Sequence, residues 1–289
     1  RWDRPDRVLL HRRFPRKPPP SNNYVLQGSM QGSAELVEAG YTQIHQYMRK
    51  IGWDYSEHPN SSSLDHKDGV HGEVIYDLFI RQYIFKLSIH ANEKALDGDR
   101  GKLIDRQRNE MKTQTTPSWY KLNGNWDEWQ QLKWKFKIPK DFRPSGSFTH
   151  LHQLKAQEGN NGSPVITITA RSNGNGSNRR IQIIHNGDTE ETTKGTIIDN
   201  LPLEDFEDEW IQVETEMHYT HNGSFSITLS RLSDGKRLVQ RSFDDIDLWR
   251  KGAISIRNKF GIYRSFGKTL TDENDRPTNG IKDEHILLA

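Results

Sequence analysis

Between Asp105 and Thr113 the chain alternates charge more densely than an idle surface strand needs. The run is Asp105-Arg106-Gln107-Arg108-Asn109-Glu110-Met111-Lys112-Thr113. Side chains two apart on a strand share a face, so Arg106, Arg108, Glu110 and Lys112 project together. A core face would be apolar. Cations grouped around one carboxylate suit a floor that receives an anion, with Glu110 holding the cationic forks in place. An exposed ladder of cross-strand ion pairs is the plainer reading. Two later stretches favour the anion floor.

The second stretch is Phe148-Thr149-His150-Leu151-His152-Gln153-Leu154-Lys155. As a regular strand it sets His150 and His152 on one face, and Gln153 with Lys155 on the other. A neutral imidazole is the natural general base near neutral pH. The third is Arg257-Asn258-Lys259-Phe260-Gly261-Ile262-Tyr263-Arg264-Ser265. Lys259, Gly261 and Tyr263 share a face, and the glycine leaves a gap where a ligand can approach the backbone. A phenol beside Lys and Arg suits proton transfer. The plain reading is a glycine kink with Tyr263 packed in the core.

Together the three stretches resemble the signature strands of the jelly-roll polysaccharide lyases: alginate lyases, glucuronan lyases and the heparin lyase that shares their fold. Those enzymes carry an Arg-x-Glu-x-Arg strand, a Gln-x-His strand and a Lys-x-Gly-x-Tyr strand, in that order. Arg108, Glu110 and Lys112 match the first, with Lys112 in place of its second arginine. Lys259, Gly261 and Tyr263 match the third at the same spacing. The middle strand fits in two ways. His150 replaces the glutamine and His152 is the base, or Gln153 is kept and Lys155 replaces the histidine. The first retains an imidazole base and is favoured. The resemblance covers about residues 73 to 289.

The resemblance implies cleavage of a 4-linked uronic-acid chain by β-elimination, leaving an unsaturated uronate at the new non-reducing end. The C5 proton is weakly acidic until the neighbouring carboxylate's charge is offset. By resemblance Arg108 does this, helped by Gln153 or His150, with Glu110 orienting the arginine. His152 abstracts the proton. Tyr263 protonates the leaving O4 oxygen, or serves as both base and acid, and Lys259 keeps its phenol acidic. Arg106, Lys112, Lys155 and Arg264 bind neighbouring carboxylates. No cofactor is required by such chemistry.

Several elements must position these strands. Ser33 to Ile51 reads as one amphipathic helix, with Leu36, Gly40, Ile44 and Met48 recurring every four residues and Gly52 as its stop. Residues 54 to 72 read as a long polar loop holding His58, Asp65, His66, Asp68 and His71. Their spacing matches no firm ligand signature, and a structural or activating calcium ion on oxygen ligands suits them better than zinc. Strands follow from Glu73 onward. Tyr83, Phe85, Leu87 and Ile89 alternate, and so do Leu132, Trp134, Phe136 and Ile138, with three lysines facing outward. Further strands are predicted at 147–156, 164–170, 180–186, 210–219, 224–231, 237–243 and 252–258. His221-Asn222-Gly223 should turn a hairpin. Asp205 to Glu209 and Asp244 to Asp247 read as acidic connectors. The fold class is all-β, an antiparallel β-sandwich of jelly-roll, concanavalin-like type, with one N-terminal helix packed outside. Residues 1–23 form an extended basic, Pro-rich arm, and 24–289 a single catalytic domain.

The 289 residues carry 41 Lys and Arg against 39 Asp and Glu, a net charge of +2. Such balance excludes bulk nucleic-acid binding, so anion recognition must be local. No stretch has the length of a membrane span. Cysteine is absent, which excludes a disulfide framework and thiolate metal sites. Sequons at Asn60, Asn161, Asn175 and Asn222 and eight tryptophans fit a secreted, extracellular glycoprotein. The expected partner is an acidic polysaccharide, bound by a monomer. The chain begins at Arg1, and Ile286 to Ala289 reads as a strand cut short, so the natural chain is expected to extend further. A glycoside hydrolase would need facing carboxylates, which the strands lack. The alternative is a non-catalytic, lectin-like binder of acidic polysaccharides, since the fold alone does not separate the two.

Overall fold

Period-two patterning sorts the side chains into an interior and two outer faces. In a computed structural model the protein is described over residues 31–59, 70–91, 98–99, 103–173, 176–265 and 280–289. The strands are β1 (Trp53–Glu57), β2 (Gly72–Asp77), β3 (Gln82–Ile89), β4 (Gly98–Asp99), β5 (Leu103–Thr113), β6 (Trp129–Lys137), β7 (Thr149–Gln157) and β8 (Ile166–Arg171). They continue as β9 (Arg180–His185), β10 (Gly195–Pro202), β11 (Ile211–His218), β12 (Gly223–Arg231), β13 (Arg237–Ile246), β14 (Ser255–Ser265) and β15 (Glu284–Leu288). All the ladders are antiparallel. One sheet has the order β1-β5-β14-β7-β8-β9-β10, with β4 added to β5. The other has the order β13-β12-β11-β6-β15-β3-β2. This is an antiparallel sandwich with the crossing connections of a jelly roll.

Between the sheets lie Trp134, Phe136, Leu154, Ile168, Val213, Ile227, Phe260 and Ile286, all buried. The opposite faces of the strands carry the polar residues, as with the exposed Lys133–Glu214 pair at 2.9 Å. Gly223 follows the exposed His221 and Asn222 and starts β12, which pairs with β11, as a hairpin requires. The last strand, β15, pairs with β3 along its length and with β6 at its end.

Four departures from the sequence expectation concern local backbone. The 33–51 segment is a 3-10 turn at Ala34–Leu36 followed by a helix, α1, at Tyr41–Lys50. Val37 is extended and Glu38 has φ 67°, so the chain breaks before Gly40 caps α1. Ile44 and Met48 are wholly buried in the main core, and α1 packs against β1. Each such side chain contributes about 1.5–3 kcal/mol when fully buried.

Residues 54–57 are strand rather than loop, because Trp53 and Tyr55 alternate into the core. β10 adds a strand that its Gly and Asn residues disguise, and β13 runs on through Asp244 and Asp245. The 1–23 arm, Asn60, Asn175, Asp65, His66 and Asp68 lie outside the described residues.

Candidate active site

β5 and β14 run side by side without a register break, from Lys259 opposite Lys112 to Ser265 opposite Arg106. Gln107, Asn109 and Met111 of β5 are buried toward the interior, and Tyr55 Oη donates to Asn109 Oδ1 at 2.9 Å. The alternate side chains, Arg106, Arg108, Glu110 and Lys112, occupy the outer face of the eight-stranded sheet beside Lys259 and Tyr263. Between those two, Gly261 has φ 146°, and a Cβ there would fall 2.1 Å from the Asn109 carbonyl oxygen. The close approach of β5 therefore demands glycine.

β1 brings a carboxylate, Glu57, from the polar stretch 54–72 whose composition suggests a loop. Asp54 pairs with Lys112 but Glu57 pairs with Glu110, so β1 carries one extra residue between them. This bulge turns Glu57 onto the outer face. Glu57 accepts from Arg108 Nη1 and from Lys112 Nζ, each at 3.0 Å, and is in ionic contact with Lys259. Lys259 Nζ also reaches Glu110 Oε2 at 2.9 Å. Burial pushes the Glu57 carboxyl up, yet Lys259, Arg108 and Lys112 outweigh it and hold it well below the usual carboxylate range. The aromatic alternation Trp53, Tyr55 marked the strand, but nothing local marked the bulge.

A second bulge reorders β7. His150 pairs with Thr169 and His152 with Ile168, so β7 spends two residues against one of β8. Leu151 and His152 consequently both point inward. The His152 ring packs on Trp134 and Phe260 at centroid distances of 5.2 and 4.6 Å, and its Nε2 lies 3.4 Å from Asn258 Oδ1. Burial, partly offset by Asn258, pushes its pKa down to about 3. His152 is a core histidine on the opposite face from Tyr263 and cannot reach a ligand there.

The bulge instead groups His150, Gln153 and Lys155 on the outer face, where a regular strand would have separated them. His150 is the cross-strand partner of Tyr263, with ring centroids 6.0 Å apart, and Phe148 stacks on it at 4.6 Å. Its Nδ1 is shut off from solvent and makes no hydrogen bond. Burial, then Arg171, Lys259, Arg108 and Lys155, push its pKa down to about 3, which keeps the imidazole neutral. Gln153 donates to Glu110 Oε1. Lys155 donates to the Gly162 carbonyl at 2.8 Å, and burial together with Lys259, Arg108, Arg250 and Arg257 lowers its pKa to about 8.

Around Tyr263 the cations are arginines. Arg106 Nη1 donates to the phenol oxygen at 3.2 Å, and the Arg108 guanidinium lies 3.9 Å from the ring centroid. Arg106 occupies a lone pair of that oxygen, which leaves the hydroxyl proton available to another acceptor. Lys259, expected beside the phenol, is instead held by Glu57 and Glu110. Arg264, expected to bind substrate, is wholly buried on the interior face, where its Nε donates to Gln107 Oε1 at 2.8 Å. One residue of alternation along β14 separates its role from that of Tyr263.

Among the described residues no group of three His, Cys, Asp or Glu is placed to hold a metal ion. Of the candidate loop ligands, His71 is buried with its Nε2 3.0 Å from His90 Nδ1, and His58 stacks on Tyr41.

Searched against protein-family models and against curated proteins, the chain matches none. Among solved structures it is similar to alginate lyase A1-II′, a member of polysaccharide lyase family 7, at 12% identity over 78% of this chain and 82% of that one (TM-score 0.44). It is similar to the PL-14 alginate lyase from Aplysia kurodai at 12% identity over 75% and 84% (TM-score 0.44). The alginate lyase from Klebsiella pneumoniae shows 9% identity over 74% and 81% (TM-score 0.46). At such identity these likenesses assign neither substrate nor residue roles to this chain.

Proposed function

We propose that the outer face of the eight-stranded sheet binds an acidic polysaccharide and cleaves it by β-elimination at a 4-linked uronate. The observation that carries the reading is the side-by-side placement of Arg108, Tyr263 and the neutral imidazole of His150 on three adjacent strands. The resemblance of the β5 and β14 motifs to the lyase strands adds support.

In this mechanism the Arg108 fork binds the uronate carboxylate and offsets its charge, which stabilises the enolate-like anion that forms when C5 loses its proton. His150, whose neutral imidazole shares the outer face with Arg108 and Tyr263, accepts that proton. The electron pair forms the C4–C5 double bond as the C4–O4 bond breaks, and the Tyr263 hydroxyl gives its proton to O4. Glu57, Glu110, Lys259 and Gln153 hold this arrangement rather than touch the reacting atoms.

The test is a panel of polymannuronate, polyguluronate, glucuronan and glycosaminoglycans, read by the ultraviolet absorbance of the new conjugated double bond. Absorbance should rise on one of them and vanish in Tyr263→Phe. Binding without absorbance or new reducing ends would make the protein a lectin-like binder. New reducing ends without absorbance would make it a hydrolase.

A further inference from the structure

The cationic face does not end at Tyr263. The cross-strand partners run Arg108–Tyr263–His150–Thr169–Gln182 through β5, β14, β7, β8 and β9. At about 4.8 Å per strand, Gln182 lies about 14 Å from Tyr263, beyond the reach of a single sugar ring. Two residues further along β8 and β9, Arg171 and Arg180 face each other as direct partners on the same side of the sheet.

Like charges placed directly opposite one another are destabilising, and the compensation here is thin. Asp199 Oδ1 lies 3.7 Å from Arg180 Nε but already accepts from Gln182 Nε2 and from the Asn200 amide, each at 2.7 Å. Arg171 Nε is buried and makes no hydrogen bond. Gln182 is 5% exposed, and its Oε1 also has no partner. Arg180 Nη1 donates to the Asn178 carbonyl at 3.0 Å, and Arg180 lines a cleft of about 320 Å³ together with Arg179, Asn178, Asn200 and Glu204. Two guanidinium groups that share one already engaged carboxylate, beside a buried amide oxygen without a donor, match the carboxylate and a hydroxyl of one acidic sugar unit.

We infer that Arg171, Arg180 and Gln182 form a second, distal subsite for an acidic sugar unit, so that the protein grips its polymer across the strands and prefers chains long enough to reach β9. The inference rests on the acidic-polysaccharide reading above. It concerns binding only and holds whether or not the bond is cut.

The test is calorimetric titration of trimeric and hexameric oligouronates, from polymannuronate and from glucuronan, into the wild type, Arg171→Gln, Arg180→Gln and Arg108→Gln. The distal variants should weaken hexamer binding about tenfold, the worth of one charged hydrogen bond, and trimer binding by less than about twofold. A carboxyl-reduced, neutral hexamer should not distinguish them from the wild type. Their melting temperatures should equal or exceed the wild-type value, since a like-charge pair is relieved. Unchanged hexamer affinity in both distal variants, with weakened binding in Arg108→Gln, would overturn the distal subsite and leave the primary reading standing. If the wild type binds no oligouronate, both fall.

Discussion

The Arg108 guanidinium lies 3.9 Å from the centre of the Tyr263 ring, and the two residues are direct cross-strand partners. The same guanidinium reaches Glu57 through Nη1 at 3.0 Å, and its Nε is 3.8 Å from Glu110. An arginine pinned by a ring below and carboxylates beside it keeps its planar donors aimed without paying rotamer entropy when a ligand arrives.

Arg108→Lys keeps the charge and loses the fork. It should lower kcat/KM on the responsive polyuronate about 100-fold or more, as loss of a preorganised donor to a developing anion does. The loss should fall mainly on kcat. Double-bond kinetics at several substrate concentrations separate the two constants, and a loss confined to KM would limit Arg108 to binding.

The two histidines of β7 should behave oppositely. His150→Gln removes the base and should lower kcat by about 100-fold or more. His152→Leu, a change within the core, should leave kcat within a small factor of wild type. It should cost about 1 kcal/mol, mostly from the weakened bonding of Asn258. Denaturant melts and double-bond kinetics on both variants decide the matter. Activity lost in His152→Leu with the fold intact would return the base to His152.

That contrast shows where the sequence was legible. β5 and β14 pair without a register break, so strict alternation places Arg106, Arg108, Glu110, Lys112, Lys259 and Tyr263 correctly. β1 and β7 each carry a bulge, and one extra residue sends every later side chain to the other face. Regular alternation therefore puts His150 and His152 on one face, and it gives Glu57 no place in the site. A bulge is fixed by what the neighbouring strands demand, and His-Leu-His-Gln has no glycine or turn residue to announce it. Arg264 failed for a different reason. Its neighbour Tyr263 faces outward, so alternation puts Arg264 inside, against the groove role expected of it.

Glu57 offers the sharpest stability test. It is 4% exposed and binds Arg108, Lys112 and Lys259. Glu57→Gln leaves those cations with one carboxylate fewer in a water-poor setting, which should cost about 3–5 kcal/mol, as breaking a buried pair does. Urea unfolding should show a lower midpoint with an unchanged slope. A cost below about 1 kcal/mol, the level of a surface pair, would mean the cluster is solvated.

Acid should destabilise the protein over two pH ranges of different slope. His150 and His152 are held near pKa 3 when folded, against an ordinary 6.5, so the folded state binds fewer protons and loses stability as pH falls below about 6.5. Glu284 opposes them. Burial raises its pKa to about 7, so it favours the folded state below its ordinary 4.5 and loses that contribution as pH rises toward 7. Between pH 6.5 and 4.5 Glu284 offsets part of the loss from the histidines, His58 included, and the melting temperature should fall less steeply than at lower pH. Below about 4.5 Glu284 is protonated in both states, and each histidine should remove up to about 1.4 kcal/mol per pH unit. The melting temperature should then drop steeply toward pH 3. His152→Leu removes one of these linked protons, so its melting curve should gain on the wild type as pH falls from 6 to 4. Parallel curves would mean that His152 already carries its proton in the folded protein.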